Sequence, residues 1–154
     1  PQAKGLKIPV SAVTEKNFYM LPKSYAAQGG DSMDIGFNKE IYDANGTSIL
    51  FAPANIGFED DELYYIAVDE EGDFKAGDYI VRPESSDRYQ IGRTSSLKGV
   101  YNINKGYTVF TQVEILDSNS EYYTIKNNVT YGLSVYDHIV LDASSVGEGQ
   151  LLYQ

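Results

Sequence analysis

Twenty-two carboxylates, a single histidine and no cysteine define the chemistry open to this chain of 154 residues. Without cysteine, disulfides, thiolate catalysis and cysteine-ligated zinc are excluded. A hydrolytic triad needs a base held between a nucleophile and an orienting carboxylate. His138 is the sole base of that kind, and its neighbour Asp137 would point to the opposite face of a strand. No Gly-x-Ser-x-Gly elbow accompanies it, so His138 reads as a half-exposed strand residue. Glycoside hydrolysis needs two facing carboxyl groups. The acids instead concentrate at 59–62 and 69–73, in turn-like contexts where solvated side chains are expected. The run Asp69–Glu70–Glu71–Gly72–Asp73 lacks the alternating ligands and closing glutamate of a calcium loop. Gly29–Gly30 is an isolated pair rather than a phosphate loop. The expectation is a protein that is not an enzyme, with no catalytic, cofactor-binding or metal-binding residues.

The elements that carry these residues read as strands. Fourteen Tyr, six Phe and many Val, Ile and Thr suit pleated, half-buried surfaces. No stretch is periodic enough to read as a helix, and no apolar run approaches the ~18 residues of a membrane span. A net charge of −10 and a pI near 4.4 exclude nucleic acid as a partner, because a duplex binder needs clustered Lys and Arg to displace counterions. The acidity is read as a device for solubility. The chain begins Pro1–Gln2–Ala3–Lys4, with neither Met nor a signal peptide, and is expected to be a segment of something longer.

One pattern recurs along the chain. Phe51, Ile56, Asp78 and Val81 are followed 59 residues later by Phe110, Ile115, Asp137 and Val140, while Tyr65 and Tyr123 differ by 58, a one-residue slip. A long period with matching apolar positions implies one supersecondary unit used twice. The expected fold is all-β, two related β-roll or barrel-like halves in pseudo-repeat, the first with a hairpin insertion. Pro83 to Arg88 is the expected boundary, giving a first unit at 1–83 and a second at 84–154. If Ile8 before Pro9 matches Ile91 before Gly92, the offset is 83, and 83−59 leaves 24 extra residues in the first half, assigned to about 21–46. Within them Asn45–Gly46 signals a hairpin turn, and the polar loop Gln28, Gly29, Gly30, Asp31, Ser32 is the expected partner-contact surface. Asp78 and Asp137, each just before a final strand, are expected to fix turns by accepting backbone N–H groups.

The run Ile8–Pro9–Val10–Ser11–Ala12–Val13, followed by Phe74–Lys75–Ala76–Gly77–Asp78–Tyr79–Ile80–Val81, resembles the C-terminal region of HlyD-like membrane fusion proteins. These are extracytoplasmic or periplasmic adaptors of efflux and secretion transporters. Residues 99–106 with Tyr131–Gly132–Leu133–Ser134–Val135–Tyr136–Asp137–His138–Ile139–Val140 look like a second version, similar to endings in adaptors of anaerobic Gram-positive bacteria. Tyr136 departs from the family's glycine, and the lipoyl-like and coiled-coil portions of a full adaptor are missing from the chain. The resemblance implies a non-catalytic, membrane-proximal adaptor segment in the cell envelope, anchored through an N-terminal segment outside this chain. It would couple to a membrane transporter of ABC or RND type and possess no cofactor; adaptors of this kind also form homo-oligomers. The alternative is an extracytoplasmic ligand-binding β module, for example for cell-wall glycan, suggested by the tyrosine content.

Overall fold

A computed structural model describes residues 5–29, 32–104, 106–127 and 138–145. Its strands, in chain order, are β1 (Leu6–Pro9), β2 (Thr14–Pro22), β3 (Ala26–Gln28), β4 (Ile35–Asp43), β5 (Gly46–Pro53), β6 (Ile56–Glu59), β7 (Leu63–Ala67), β8 (Tyr79–Val81), β9 (Arg88–Gln90), β10 (Thr94–Asn104), β11 (Tyr107–Gln112), β12 (Ile115–Ser118), β13 (Tyr122–Ile125) and β14 (His138–Ile139). The fold is all-β with two barrel-like halves, and among the described residues the only helical elements are short 3₁₀ turns. The chain divides into two compact units. One is continuous, Asn17–Ser95; the other combines Pro1–Lys16 with Ser96–Gln154. The continuous unit is thus inserted into the split one. The expected boundary at 83/84 falls inside the inserted unit, because Arg88 on β9 pairs with Val81 on β8 across the polar turn and keeps both strands in one sheet.

In the inserted unit β7 pairs with β2 and β6, while β4 carries β5 along one edge and β3 followed by β8 along the other. Alternation along β4 turns Phe37 into the core and leaves Glu40 and Tyr42 on the opposite face. The core gathers Tyr19, Leu21, Phe37, Ala52, Ile66, Phe74, Ile80 and Ile91. Phe37 meets Phe74 edge-on at 5.8 Å and Tyr64 at 6.4 Å, the arrangement aromatic quadrupoles favour.

The split unit builds the same object. Its β13 pairs with β1 and β12, and its β10 pairs with β11 and β14. Its core comprises Ile8, Ala12, Val100, Val113 and Ile125, with Leu6, Val13, Ile115, Tyr123 and Ile139 packed against them.

Register makes the correspondence residue by residue. Ile56, Phe58 and Glu59 face Ile66, Tyr65 and Tyr64, with a bulge between Ile56 and Phe58. Ile115, Asp117 and Ser118 face Ile125, Thr124 and Tyr123, with a bulge between Ile115 and Asp117. Every one of these pairs is related by 59, so Tyr123 corresponds to Tyr64 and no slip occurs. The neighbouring strand extends the match at another offset. Leu21 and Pro22 face Tyr64 and Leu63 as Ile8 and Pro9 face Tyr123 and Tyr122, an offset of 22−9 = 13. The counterpart of Ile8 is therefore Leu21, not Ile91. Both prolines lead into a 3₁₀ turn, at Val10–Ala12 and Lys23–Tyr25. The first turn residue donates its N–H to Glu121 O (3.0 Å) in one unit and to Glu62 O (2.8 Å) in the other.

The two hairpins complete the repeat. Gly36 faces Pro53 and Gly99 faces Gln112, so β10 follows β4 by 99−36 = 63 while β11 follows β5 by 112−53 = 59. The four-residue difference, 63−59, is taken up at the tip of the β4–β5 hairpin around Asn45–Gly46, where Gly46 has φ +117°. The rest of 21–46, expected as an insertion, contains Leu21 and Phe37, both fully buried, together with β3 and most of β4. These are integral to the unit. The sequence comparison misplaced them because in the split unit the matching strands are separated by the whole inserted unit.

Candidate functional site

The expected contact loop follows β3. Ala26, Ala27 and Gln28 pair with Phe37, Gly36 and Ile35, which places Gln28 at the sheet end with its side chain exposed. Gly29 closes the turn by donating its N–H to Asp34 O at 3.1 Å, and Ser32 Oγ accepts the Asp34 N–H at 3.4 Å. Gly30 and Asp31 lie outside the described residues. Met33 beside them is 80% exposed, an apolar side chain that the sequence reading passed over. A Cβ on Gly29 would stand 2.9 Å from Phe51 Cε2, so glycine at this position lets the loop lie on the Phe51 ring.

Of the two expected turn aspartates, Asp78 is described and Asp137 lies outside the described residues. Asp78 Oδ2 accepts the Lys75 N–H at 3.0 Å, its own N–H donates to Lys75 O at 3.1 Å, and Lys39 Nζ stands 3.3 Å from the carboxylate. Gly77 within that turn has φ +94°, a conformation glycine adopts at little cost. His138 is exposed on β14, opposite Ile103, at the position of Tyr79 in the other unit.

The acidic turns spend their carboxylates on their own backbone. Asp60 Oδ1 accepts the N–H groups of Glu62 (2.9 Å) and Leu63 (2.8 Å), and its Oδ2 accepts the Tyr65 hydroxyl at 2.8 Å. The Glu62 N–H, then the Tyr65 hydroxyl and the Leu63 N–H, hold the Asp60 carboxyl below its ordinary range. Burial and the adjacent carboxylate push the Tyr65 phenol up. In the split unit Asn119 Oδ1 accepts the N–H groups of Glu121 (2.8 Å) and Tyr122 (2.7 Å), the same turn without the charge. Asp69 likewise accepts the Glu71 N–H at 3.0 Å. Among the described residues no three acids or histidines converge as a metal site would require.

A second cluster, missed in the sequence, lies on the outer face of β4, β8 and β9. Arg88 donates from Nε and Nη2 to the two oxygens of Glu40 at 2.7 and 2.8 Å, and its guanidinium lies 3.8 Å from the centre of the Tyr79 ring. The Tyr42 hydroxyl donates to Glu40 and receives Arg88 Nη2 at 3.2 Å. The Arg88 bonds, followed by the Tyr42 hydroxyl, hold the Glu40 carboxyl down, while the bond to Glu40 chiefly raises the Tyr42 phenol. Nothing in the one-dimensional sequence links residues 40, 42, 79 and 88; β-pairing alone assembles them. A bidentate ion pair stacked on an aromatic ring is a rigid, charge-neutral surface suited to contact rather than to proton transfer. No known family, curated protein or solved structure matches this chain.

Proposed function

We propose that the chain is a non-catalytic, membrane-proximal segment of a HlyD-like adaptor that couples to a membrane transporter in efflux or secretion. The reading places it outside the cytoplasm, in the cell envelope, and anchored to the membrane through the full-length protein. Among the described residues no helix is long and apolar enough to cross a membrane. The observation that carries the reading is the way the resembling motifs are built. Ile8–Pro9 with its 3₁₀ turn has a structural twin in Leu21–Pro22 with the same turn, and the Gly77–Asp78 turn closes the inserted unit through Gly77 N–H to Ile91 O (2.7 Å) and Ile91 N–H to Asp78 O (2.8 Å). A duplicated scaffold whose motifs shape turns and strand ends holds partners in register. The Gln28–Ser32 loop, with exposed Met33 beside it, is the proposed contact with the transporter.

The test is co-purification of the full-length protein with the transporter encoded beside it, in wild type and in a Gln28→Arg, Met33→Asp double variant. Loss of co-purification with an unchanged melting temperature is expected. Unchanged recovery of the transporter by the variant overturns the loop assignment. Absence of any transporter from the wild-type preparation, with retention on cell-wall glycan, overturns the adaptor reading in favour of a glycan-binding module.

A further inference from the structure

Of the nine asparagines in the chain, Asn45 alone precedes a glycine. The pair forms the tip of the β4–β5 hairpin, where Asp43 faces Gly46 and both Asn45 and Gly46 are exposed. Asp43 Oδ1 accepts the Asn45 N–H at 2.8 Å and holds the backbone of the turn. The Asn45 carboxamide itself meets no partner among the described residues. Gly46 has φ +117°, and a Cβ built there would meet nothing within 4 Å, so that flank of the turn is open.

The split unit offers two controls. Ile41 faces Ser48 as Asn104 faces Tyr107, so six residues, 42–47, join the strands in one unit where two, 105–106, join them in the other. Asn104, at the end of the matching strand, is followed by Lys105 rather than glycine. Asn119 does occupy a turn, but its Oδ1 accepts the N–H groups of Glu121 (2.8 Å) and Tyr122 (2.7 Å), and Ser120 follows it. A carboxamide pinned in that way is not at liberty to turn toward the next backbone nitrogen, whereas that of Asn45 is.

We propose that Asn45 is a self-modification site, deamidated in the folded protein by attack of the Gly46 backbone nitrogen. Hydroxide removes the Gly46 amide proton, the freed electron pair forms a bond to Asn45 Cγ, and the Cγ–Nδ2 bond breaks as ammonia leaves with a proton from water. The resulting succinimide takes up one water and opens at either carbonyl. Position 45 is left as an aspartate or as an isoaspartate whose main chain runs through the former side chain. One water enters and one ammonia leaves, with no oxidation or reduction. By alternation from the bond of Ala54 N–H to Ile35 O (2.9 Å), the Gly46 N–H points at Asp43 O, the last rung of the ladder. Terminal rungs open at the least cost, so the nitrogen is released by fraying of the tip without unfolding of the unit. The product sets a second carboxylate beside Asp43 and takes the formal charge from −10 to −10−1 = −11.

Incubation of the folded whole chain in heavy-oxygen water at mildly alkaline pH, followed by peptide mapping, tests the proposal. Heavy oxygen is expected at position 45, in aspartate and isoaspartate together, with a more acidic band on isoelectric focusing. The rate should rise with pH, because the Gly46 amide must first lose its proton. Asn45→Gln, whose longer side chain would have to close a larger ring, should lose the acidic band and keep the melting temperature of wild type. Asn119 should stay unlabelled in both proteins. Aspartate without isoaspartate at position 45 overturns the attack by Gly46, since direct hydrolysis by water leaves the main chain in place. Label that appears only after unfolding in urea overturns the claim that the folded hairpin permits the reaction. Labelling of Asn119 as fast as Asn45, or an acidic band that persists in Asn45→Gln, overturns the assignment to this tip.

Discussion

Replacing Gly36 and Gly99 with alanine, one at a time, tests whether the two units obey one construction rule. Each glycine lies under a phenylalanine of the neighbouring strand. A Cβ at Gly36 would stand 2.2 Å from Ala52 O and 2.7 Å from Phe51 Cζ; at Gly99 it would stand 2.5 Å from Thr111 O and 2.4 Å from Phe110 Cζ. Ordinary contact begins near 3.4 Å, so the shortfall against the carbonyl is 3.4−2.2 = 1.2 Å in one unit and 3.4−2.5 = 0.9 Å in the other. The rings can swing, but the carbonyls are held in the β4–β5 and β10–β11 ladders. The strands must part locally, weakening ladder bonds worth roughly 1 kcal/mol each and adding strain of the kind that overpacking produces, about 1–3 kcal/mol. A loss of ~2–3 kcal/mol is expected at both sites, or about 5–10 °C in melting temperature for a chain of this size. Gly92, where an added Cβ meets nothing within 4 Å, serves as the neutral control. Urea denaturation monitored by tyrosine fluorescence measures all three variants. Losses below ~0.5 kcal/mol at both glycines, equal to Gly92→Ala, would refute the claim that aromatic-over-glycine contacts fix these hairpins.

Other expectations follow from the same comparison. Leu21→Ala should destabilise the inserted unit by ~2–5 kcal/mol, since it empties a fully buried site, and Ile8→Ala should do the same to the split unit, both measured by denaturant melts. Asp60→Asn should retain the turn, as Asn119 already does, while losing a pH-dependent contribution. The folded Asp60 carboxyl is held down, so its contribution is complete above the ordinary carboxylate pKa of about 4 and fades as pH falls below that value. Urea midpoints of wild type and variant should therefore converge between pH 7 and pH 3; a constant gap would contradict this. Residues 17–95 expressed alone should melt cooperatively in calorimetry. A chimera joining Lys16 to Ser96 by a loop as short as the one after Gly29 should fold as well.

The sequence exposed the repeat where it is contiguous. The offset of 59 runs unbroken through β5, β6 and β7 and their twins because nothing intervenes between those strands in either unit. It failed upstream for a topological reason. In the inserted unit β2, β3 and β4 follow one another, whereas in the split unit the matching strands are interrupted by the inserted unit, so no single offset aligns them. Ile8–Pro9 and Leu21–Pro22 stand only 13 residues apart, a spacing that looks like adjacent strands of one sheet rather than equivalent strands of two units. The turn chemistry of Asp78 could be read from Gly77–Asp78, since the φ +94° glycine and the side-chain acceptor are local features. The Glu40–Tyr42–Tyr79–Arg88 cluster could not, because it depends on β4, β8 and β9 lying side by side.

Nested duplication provides an internal control. Residues that persist across both units, such as the two prolines before 3₁₀ turns, the glycines under phenylalanines and the bulges after Ile56 and Ile115, build the scaffold. Residues that differ at matched positions are free of that duty. Lys16 against Gly29 and Thr108 against Ile49 are the differences that coincide in space within each unit, since each pair flanks the same phenylalanine strand. Thr108 is fully buried on its strand, whereas its counterpart Ile49 is 54% exposed. A scaffold role predicts that such paired differences drift independently, whereas a binding role predicts that they change together.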